Sequence, residues 1–369
     1  MAARAATVGA ALALPVLWEL FRMGYYAMLV HNTTLAKEAA LARWDQGWRY
    51  FVDTVGTYYL AVPLLVVALF VAPRVATAWR VGQRTVAALV AAPIAVGLVQ
   101  WVYVIRVGGD FMHGRVLLPG LFAILLPAAA LRVSRRQLVG FAALGVWALL
   151  VGTVVRVPYR GDIGPAGIAD ERGVYAGWAR RAHPVAADDY ARWVWLRRGR
   201  DLRRLAAQGK PVLILGERGF ADAKQRLPLR SSQDRPVAVF TSVGMLSFAA
   251  GVDVHVVDQL ALGDVIASHQ RVDVRGRPGH EKLLHLAWAA ARFADPSAPP
   301  PPLGPTTAET AAARRALRCE PLAELFAATQ DRLSTRRFMK NMGAALRLHR
   351  LRFSPSPVVA VQELCGGSA

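Results

Sequence analysis

Eight residues, GGDFMHGR from Gly108 to Arg115, gather an acid, an imidazole and a guanidinium between two uncharged stretches. Arg115 offers a planar, permanently charged fork that suits a phosphate. His113 can move a proton near neutral pH, and Asp110 can orient that imidazole or hold a metal. The glycines at 108, 109 and 114 let the backbone approach a bulky ligand. A turn whose charged ends snorkel to the membrane surface is the alternative, but it does not require all three of these side chains. A second charged pair, Glu19 and Arg22, interrupts an apolar segment at i,i+3 spacing. Charges at such a depth pair with one another or face a cavity, and a helical ion pair at the interface is the plainer reading. A third cluster, Arg277–Lys282 (RPGHEK), precedes a helix predicted over 283–294. His280, Glu281 and Lys282 at a helix start can bind an anionic or sugar ligand, or else form a cap with a surface ion pair.

Other patterns carry less chemistry. Gly216-Glu-Arg-Gly219 follows a predicted strand but lacks the third glycine and the spacing of a dinucleotide fingerprint. Asp188 and Asp189 read as a solvated face or a helix cap. No P-loop, zinc pattern, nucleophile elbow or HExxH is present. The formal charge of +20 comes from 45 basic against 25 acidic residues. Many of the arginines flank apolar segments, and in the tail basic residues alternate with acids, so a nucleic-acid stripe is not indicated.

The elements that must position these residues divide at the middle of the chain. Residues 1–160 hold only five acids, Glu19, Glu38, Asp45, Asp53 and Asp110. Thr54–Pro73, Thr85–Ile105, Val116–Leu131 and Gln137–Val155 are apolar and long enough, or nearly so, to cross roughly 30 Å of hydrocarbon. Ala5 to about Tyr26 is a fifth span; a signal peptide is the alternative, but no small-x-small site follows its apolar core. With the N-terminus inside, the inner loops carry Arg74, Arg80, Arg84, Arg132, Arg135 and Arg136 without an acid. GGDFMHGR then lies at the outer face, and the C-terminal domain outside. Five spans with no pair of repeated, broken helices fit a transporter poorly.

The predicted organisation is a transmembrane region over 1–157 and a soluble, extracytoplasmic α/β domain over 158–369. Residues 33–54 read as one amphipathic interfacial helix, with Leu41, Trp44, Trp48, Phe51 and Val55 at helical spacing. Residues 106–115 form the outer-face loop. In the tail a Gly/Pro-rich connection from Pro158 to Gly173 precedes a helix over Ala187–Gln208. Strands are predicted at 211–216, 237–240 and 252–258, with helices near 244–250 and 259–269. SAPPPPLGP, 297–305, is a loop. Helices follow around 310–330 and 334–348, then an apolar strand near 358–361. Cys319 and Cys365 are the only cysteines; an even pair in an oxidising compartment reads as a disulfide, with two free thiols as the alternative.

Taken together, FRMGYY (21–26), NTTLAKEA (32–39), GGDFMHGR (108–115), DERG (170–173), VVDQ (256–259) with Asp264, and GRPGHEK (276–282) resemble the terminal β-(1→2)-arabinofuranosyltransferases of actinobacterial cell walls. These are AftB-type polytopic glycosyltransferases of the GT-C class. The resemblance implies transfer of arabinofuranose from decaprenylphosphoryl-arabinose to arabinan ends outside the cytoplasmic membrane. It implies that GGDFMHGR faces a lipid-phosphate donor; from their chemistry we expect Arg115 and Arg22 on the phosphate, His113 and Asp110 as catalytic residues positioning the sugar or a metal, and Glu19 and Lys37 in the donor groove. Asp258, His280, Glu281 and Lys282 would belong to the acceptor side. Membrane lipid, a polyprenyl-phosphate sugar and a cell-wall polysaccharide are the implied partners, and the resemblance leaves a divalent metal undecided. That family is longer at its N-terminus, and its paired acidic motif has no counterpart before GGDFMHGR, so this chain resembles its C-terminal portion. A non-catalytic anchored remnant or partner subunit that binds polysaccharide or lipid-linked sugar is the other expectation.

Overall fold

In the computed structural model residues 2–129, 135–155, 163–164 and 166–366 are described. Arg132 and Pro158, both used above, lie outside them. The chain forms two compact units, one from 1–38 with 190–369 and the other from 39–189. That contact division differs from the expected change at 157/158, which marks where lipid-compatible composition gives way to ordinary polar composition.

Helix α1 (Ala2–Tyr26) and the short α2 (Asn32–Ala36) open the chain. The second unit follows with α3 (Trp44–Thr57), α4 (Ala61–Arg80), α5 (Arg84–Val107), α6 (Leu118–Ala129), α7 (Arg135–Thr153) and α8 (Glu171–Ala179). The helix expected over 33–54 is thus two. Glu38 takes a positive φ of 46°, and its carboxylate pairs with Lys282. Both break the helical path before α3 begins. Among the described residues α1, α4 and α5 are long and apolar enough to cross a membrane. The apolar helices α6 and α7 are shorter; at 1.5 Å per residue the 12 residues of α6 rise only about 18 Å. Among the described residues, the five expected spans correspond to three helices of sufficient length and two shorter apolar helices.

Close approaches organise the second unit. A Cβ on Gly47 of α3 would lie 1.8 Å from the Ile105 carbonyl oxygen of α5, and one on Gly97 of α5 would lie 2.5 Å from the Gly120 oxygen of α6. Tyr50, Trp101, Val104, Leu117 and Ile124 fill the space so created. The other face of α3 leaves Trp44, Trp48 and Val52 exposed, which suits a helix lying in a headgroup layer.

Returning to the first unit, the chain forms α9 (Val194–Ala207), β1 (Leu213–Leu215), α10 (Gly216–Ala221), β2 (Arg226–Leu227), β3 (Val237–Phe240), α11 (Val243–Ala250), β4 (His255–Asp258) and α12 (Val265–His269). Then come α13 (Leu286–Phe293), α14 (Thr307–Ala316), α15 (Glu320–Gln330), α16 (Thr335–Leu348) and α17 (Pro357–Cys365). The sheet order is β2-β1-β3-β4, parallel except for the antiparallel edge strand β2. Alternate strand residues point to opposite faces. Leu213, Leu215, Val237 and Val239 join one core with Trp288 and Leu322, while Ile214, Ala238 and Phe240 join another with Leu202 and Leu246. Ala27, Met28, Leu35 and Ala36 belong to the first of these cores, and Asn341 donates to the Gly24 carbonyl at 3.0 Å. The end of α1 is therefore built into the α/β unit.

The apolar run expected as a strand at 358–361 is the helix α17. Pro357 starts it, and Ala360, Val361 and Leu364 face the core at helical spacing. β-Branched residues favour strands only weakly, and tertiary packing decides. Cys319 at the start of α15 and Cys365 at the end of α17 form the disulfide.

Candidate active site

The GGDFMHGR segment begins where α5 stops. Gly108 caps α5 in the left-handed region with φ 95°, a conformation open to glycine at little cost. Gly109 follows with φ 72°, and a Cβ there would meet the Tyr50 ring at 2.4 Å. This close passage turns Asp110 inward until it is fully buried. A buried carboxylate needs a partner, and Arg115 supplies an ion pair to it. The Arg115 side chain is half exposed, and its guanidinium lies over the Phe111 ring.

His113 is held from α3. Its Nδ1 lies 2.5 Å from Oδ2 of Asp53, and its ring packs against Tyr58. The expectation that Asp110 orients His113 is corrected: Asp110 is committed to Arg115, and Asp53 meets the imidazole. The Nε2 of His113 is buried without a hydrogen-bond partner. When Nδ1–H donates to Asp53, Nε2 presents a lone pair. Tyr50 fixes the loop by donating to the Met112 carbonyl at 2.8 Å and accepting from the Val116 N–H at 3.3 Å. Burial raises the Tyr50 pKa well above the usual phenol value, so the hydroxyl stays a donor. Beside these groups lies a cavity of about 430 Å³, lined by His113 and Arg115 on one side and by apolar residues such as Leu118, Leu121, Trp147 and Val151 on the other. An arginine and a histidine in the lining of an otherwise largely apolar slot suit a phosphate carrying a hydrocarbon chain.

The remaining expected residues lie in the first unit. Arg22 pairs with Glu19, and its Nε is buried without a hydrogen-bond partner. Lys37 follows α2, where its carbonyl accepts from Arg275 at 2.7 Å. Asp258 ends β4, and its two oxygens accept from the N–H groups of Leu260 at 2.9 Å and Gly263 at 2.8 Å. Burial pushes its pKa upward. The RPGHEK segment does not start a helix, because α13 begins at Leu286 with His285 as its cap. Glu281 is buried against Arg275. The Lys282 ammonium is buried, 2.6 Å from Glu38 and donating to the carbonyls of Leu35 and Ser268 at 2.9 and 2.8 Å. Desolvation lowers its pKa, and Glu38 opposes that shift. GRPGHEK and NTTLAKEA thus clamp one another, and neither Glu281 nor Lys282 is presented at a surface. Among the described residues no group of three or more His, Cys, Asp and Glu side chains gathers for a metal.

Sequence reasoning missed Asp53, Tyr50, His31, His255 and Arg292. Asp53 and Tyr50 lie three residues apart on α3, facing the loop rather than solvent, a signal that the helical spacing carries. His31, His255 and Arg292 gave no such signal, since only folding brings them together around one cavity with Arg22 and Asp258.

Residues 221–363 match the family model described as the AftB family C-terminal domain. Two curated relatives carry the name terminal β-(1→2)-arabinofuranosyltransferase. One, from Corynebacterium glutamicum, is 33% identical over 96% of this chain and 56% of its own length. Another, from Mycobacterium tuberculosis, is 34% identical over 75% of this chain and 51% of its own length. No solved structure matches. The chain spans about half the length of these relatives; it is similar to the AftB family C-terminal domain over residues 221–363 and, over most of its own length, to these two terminal β-(1→2)-arabinofuranosyltransferases.

Proposed function

We propose that this chain is part of a membrane glycosyltransferase that moves arabinofuranose from a polyprenyl-phosphate donor to a cell-wall arabinan end. The observation that carries the reading is that Arg115 and His113 both line the otherwise largely apolar 430 Å³ cavity. Arg115, held by Asp110, contacts the donor phosphate and stabilises the charge left on it. His113 Nε2, with Nδ1 held by Asp53, takes the proton of the attacking acceptor hydroxyl. The bond from the sugar C1 to the phosphate oxygen breaks, the bond from C1 to the acceptor oxygen forms, and polyprenyl phosphate leaves.

The orientation fits the same reading. The start of α3 meets the end of α5 at Gly47 and Ile105, and Asp53 further along α3 meets His113 of the loop that follows α5. The opposite edge, where α4 passes to α5, carries Arg80 and Arg84 without an acid. By the positive-inside rule that edge faces the cytoplasm and GGDFMHGR the outside.

The test is transfer of labelled arabinose from the lipid donor by membranes containing the protein. His113→Ala lowers the rate on the order of 10²-fold or more. Arg115→Lys keeps the Asp110 partner but loses the fork, and raises the KM for the donor. Unchanged transfer in both variants sinks the assignment of this loop, and donor binding without transfer makes the chain a lipid-sugar binding protein.

A further inference from the structure

The C-terminal part of α1 fixes a depth. It exposes Trp18, Phe21, Tyr25 and Tyr26 beyond an apolar stretch long enough to cross a bilayer. Aromatic side chains gathered at one end of a span mark the headgroup layer. Gly24 lies in this belt, and α16 packs onto it. The Phe338 ring occupies the space that a Cβ on Gly24 would take. Three residues further along α16, Asn341 donates to the Gly24 carbonyl at 3.0 Å. This turn of α16 is therefore at headgroup depth in the membrane that α1 crosses.

The helix divides into two faces. Asn341, Ala344, Ala345 and Leu348 are buried, at spacings of three and four residues. The other face presents Arg336, Met339, Lys340, Gly343 and Leu346 to solvent, with Met339 61% and Leu346 56% exposed. An open apolar side chain needs no explanation when it stands alone. Here two of them share a face with cations. The helix carries Arg336, Arg337, Lys340 and Arg347 and no acid. Asp331 answers Arg337, and Glu324 answers Arg347. Among the described residues no carboxylate pairs with Arg336, with Lys340 or with Arg350 just past the helix end. Cations and apolar side chains on one exposed face suit a helix lying in an interface, its charges among phosphates and its apolar groups below them.

We propose that the exposed face of α16 docks on the headgroups of anionic phospholipids in the membrane that α1 crosses. The contact holds the α/β unit against the bilayer beside α1. Each unanswered cation near such a surface strengthens the contact about fivefold. The proposal rests on the membrane character of α1 and not on the glycosyltransferase reading.

The test uses the full chain in nanodiscs and two lipids with a photoreactive headgroup, a phosphatidylglycerol and a phosphatidylcholine. Labelled sites are mapped by peptide mass spectrometry. Residues 18–26 are expected to take label from both lipids, and residues 335–350 about fivefold or more from phosphatidylglycerol over phosphatidylcholine. Arg336→Gln/Lys340→Gln lowers the phosphatidylglycerol label on α16 about tenfold or more and leaves that on α1 unchanged. Met339→Ser/Leu346→Ser lowers the label on α16 from both lipids. All four side chains are exposed, so these variants keep the fold. Label on α1 without label on α16 overturns the proposal, because another segment or a second copy then covers that face. Equal label on α16 from the two lipids, unmoved by the charge variant, overturns it as well. So does an unlabelled belt on α1, which removes the depth on which the contact rests.

Discussion

Asp53 illustrates how one side chain sets the task of another. It touches no part of the apolar slot, but it holds His113 Nδ1 at 2.5 Å and so aims Nε2. Asp53→Asn is expected to lower kcat on the order of 10²-fold, to leave the donor KM little changed and to move the pH profile of transfer. A purely structural role would instead lower thermal stability and leave that profile in place. His269 supports a pH prediction of another kind. It is fully buried, and desolvation, aided by the charges of Arg352 and Lys282, brings its pKa from 6.5 to about 4. The folded state thus holds the neutral imidazole. Its contribution is complete above pH 6.5 and is lost as pH falls toward 4, because the unfolded chain takes up the proton first. By pH 5 the loss is about 2 kcal/mol at 1.36 kcal/mol per unit. Thermal unfolding at pH 7.5 and pH 5 checks it: His269→Gln, which can still donate to the Val265 carbonyl, flattens the dependence. Equal slopes in the two proteins would show that other groups govern it.

At the scale of elements, glycines on α3 separate close packing from mere helix content. Gly47 has the Ile105 carbonyl in the space a Cβ would take, whereas nothing lies within 4 Å of a Cβ at Gly56. Gly47→Ala is expected to cost about 1–3 kcal/mol, because α3 and α5 must separate. Gly56→Ala, on the same helix, gains up to about 1 kcal/mol from propensity. Melting temperatures of the two variants in nanodiscs settle the point, and equal shifts would refute the packing account. Transfer activity should fall with Gly47→Ala as well, since α3 carries Asp53 and Tyr50. Much of this element level is legible in sequence. Gly108 at the end of an apolar helix marks a C-cap, and the β3 run at 237–240 appears where apolar β-branched residues cluster. The break in the 33–54 helix was not legible, because it depends on Lys282, far away in the chain, capturing Glu38. The strand misread at 358–361 has a similar origin: a short run of valines fits either element, and packing on the core chose the helix.

For the whole molecule, the disulfide ties α15 to α17 across a separation of 46 residues. Closing a loop of that size removes unfolded-state entropy worth about 4 kcal/mol in the chain-entropy model. Reduction, or the Cys319→Ser/Cys365→Ser double variant, is therefore expected to lower the melting temperature of the C-terminal region while leaving polyprenyl phosphate binding intact. An unchanged melting temperature would show that helix packing alone holds α17. The sequence by itself determined the membrane character, the α/β tail, the cysteine pair and the residue types for chemistry, since these follow from composition and from spacing along the chain. Only the tertiary structure decided that Asp53 orients His113, that Glu281 and Lys282 are buried clamps, and that the end of α1 belongs to the α/β unit. Each of those depends on contacts between segments distant in sequence, and local periodicity carries no information about which distant partner a side chain meets.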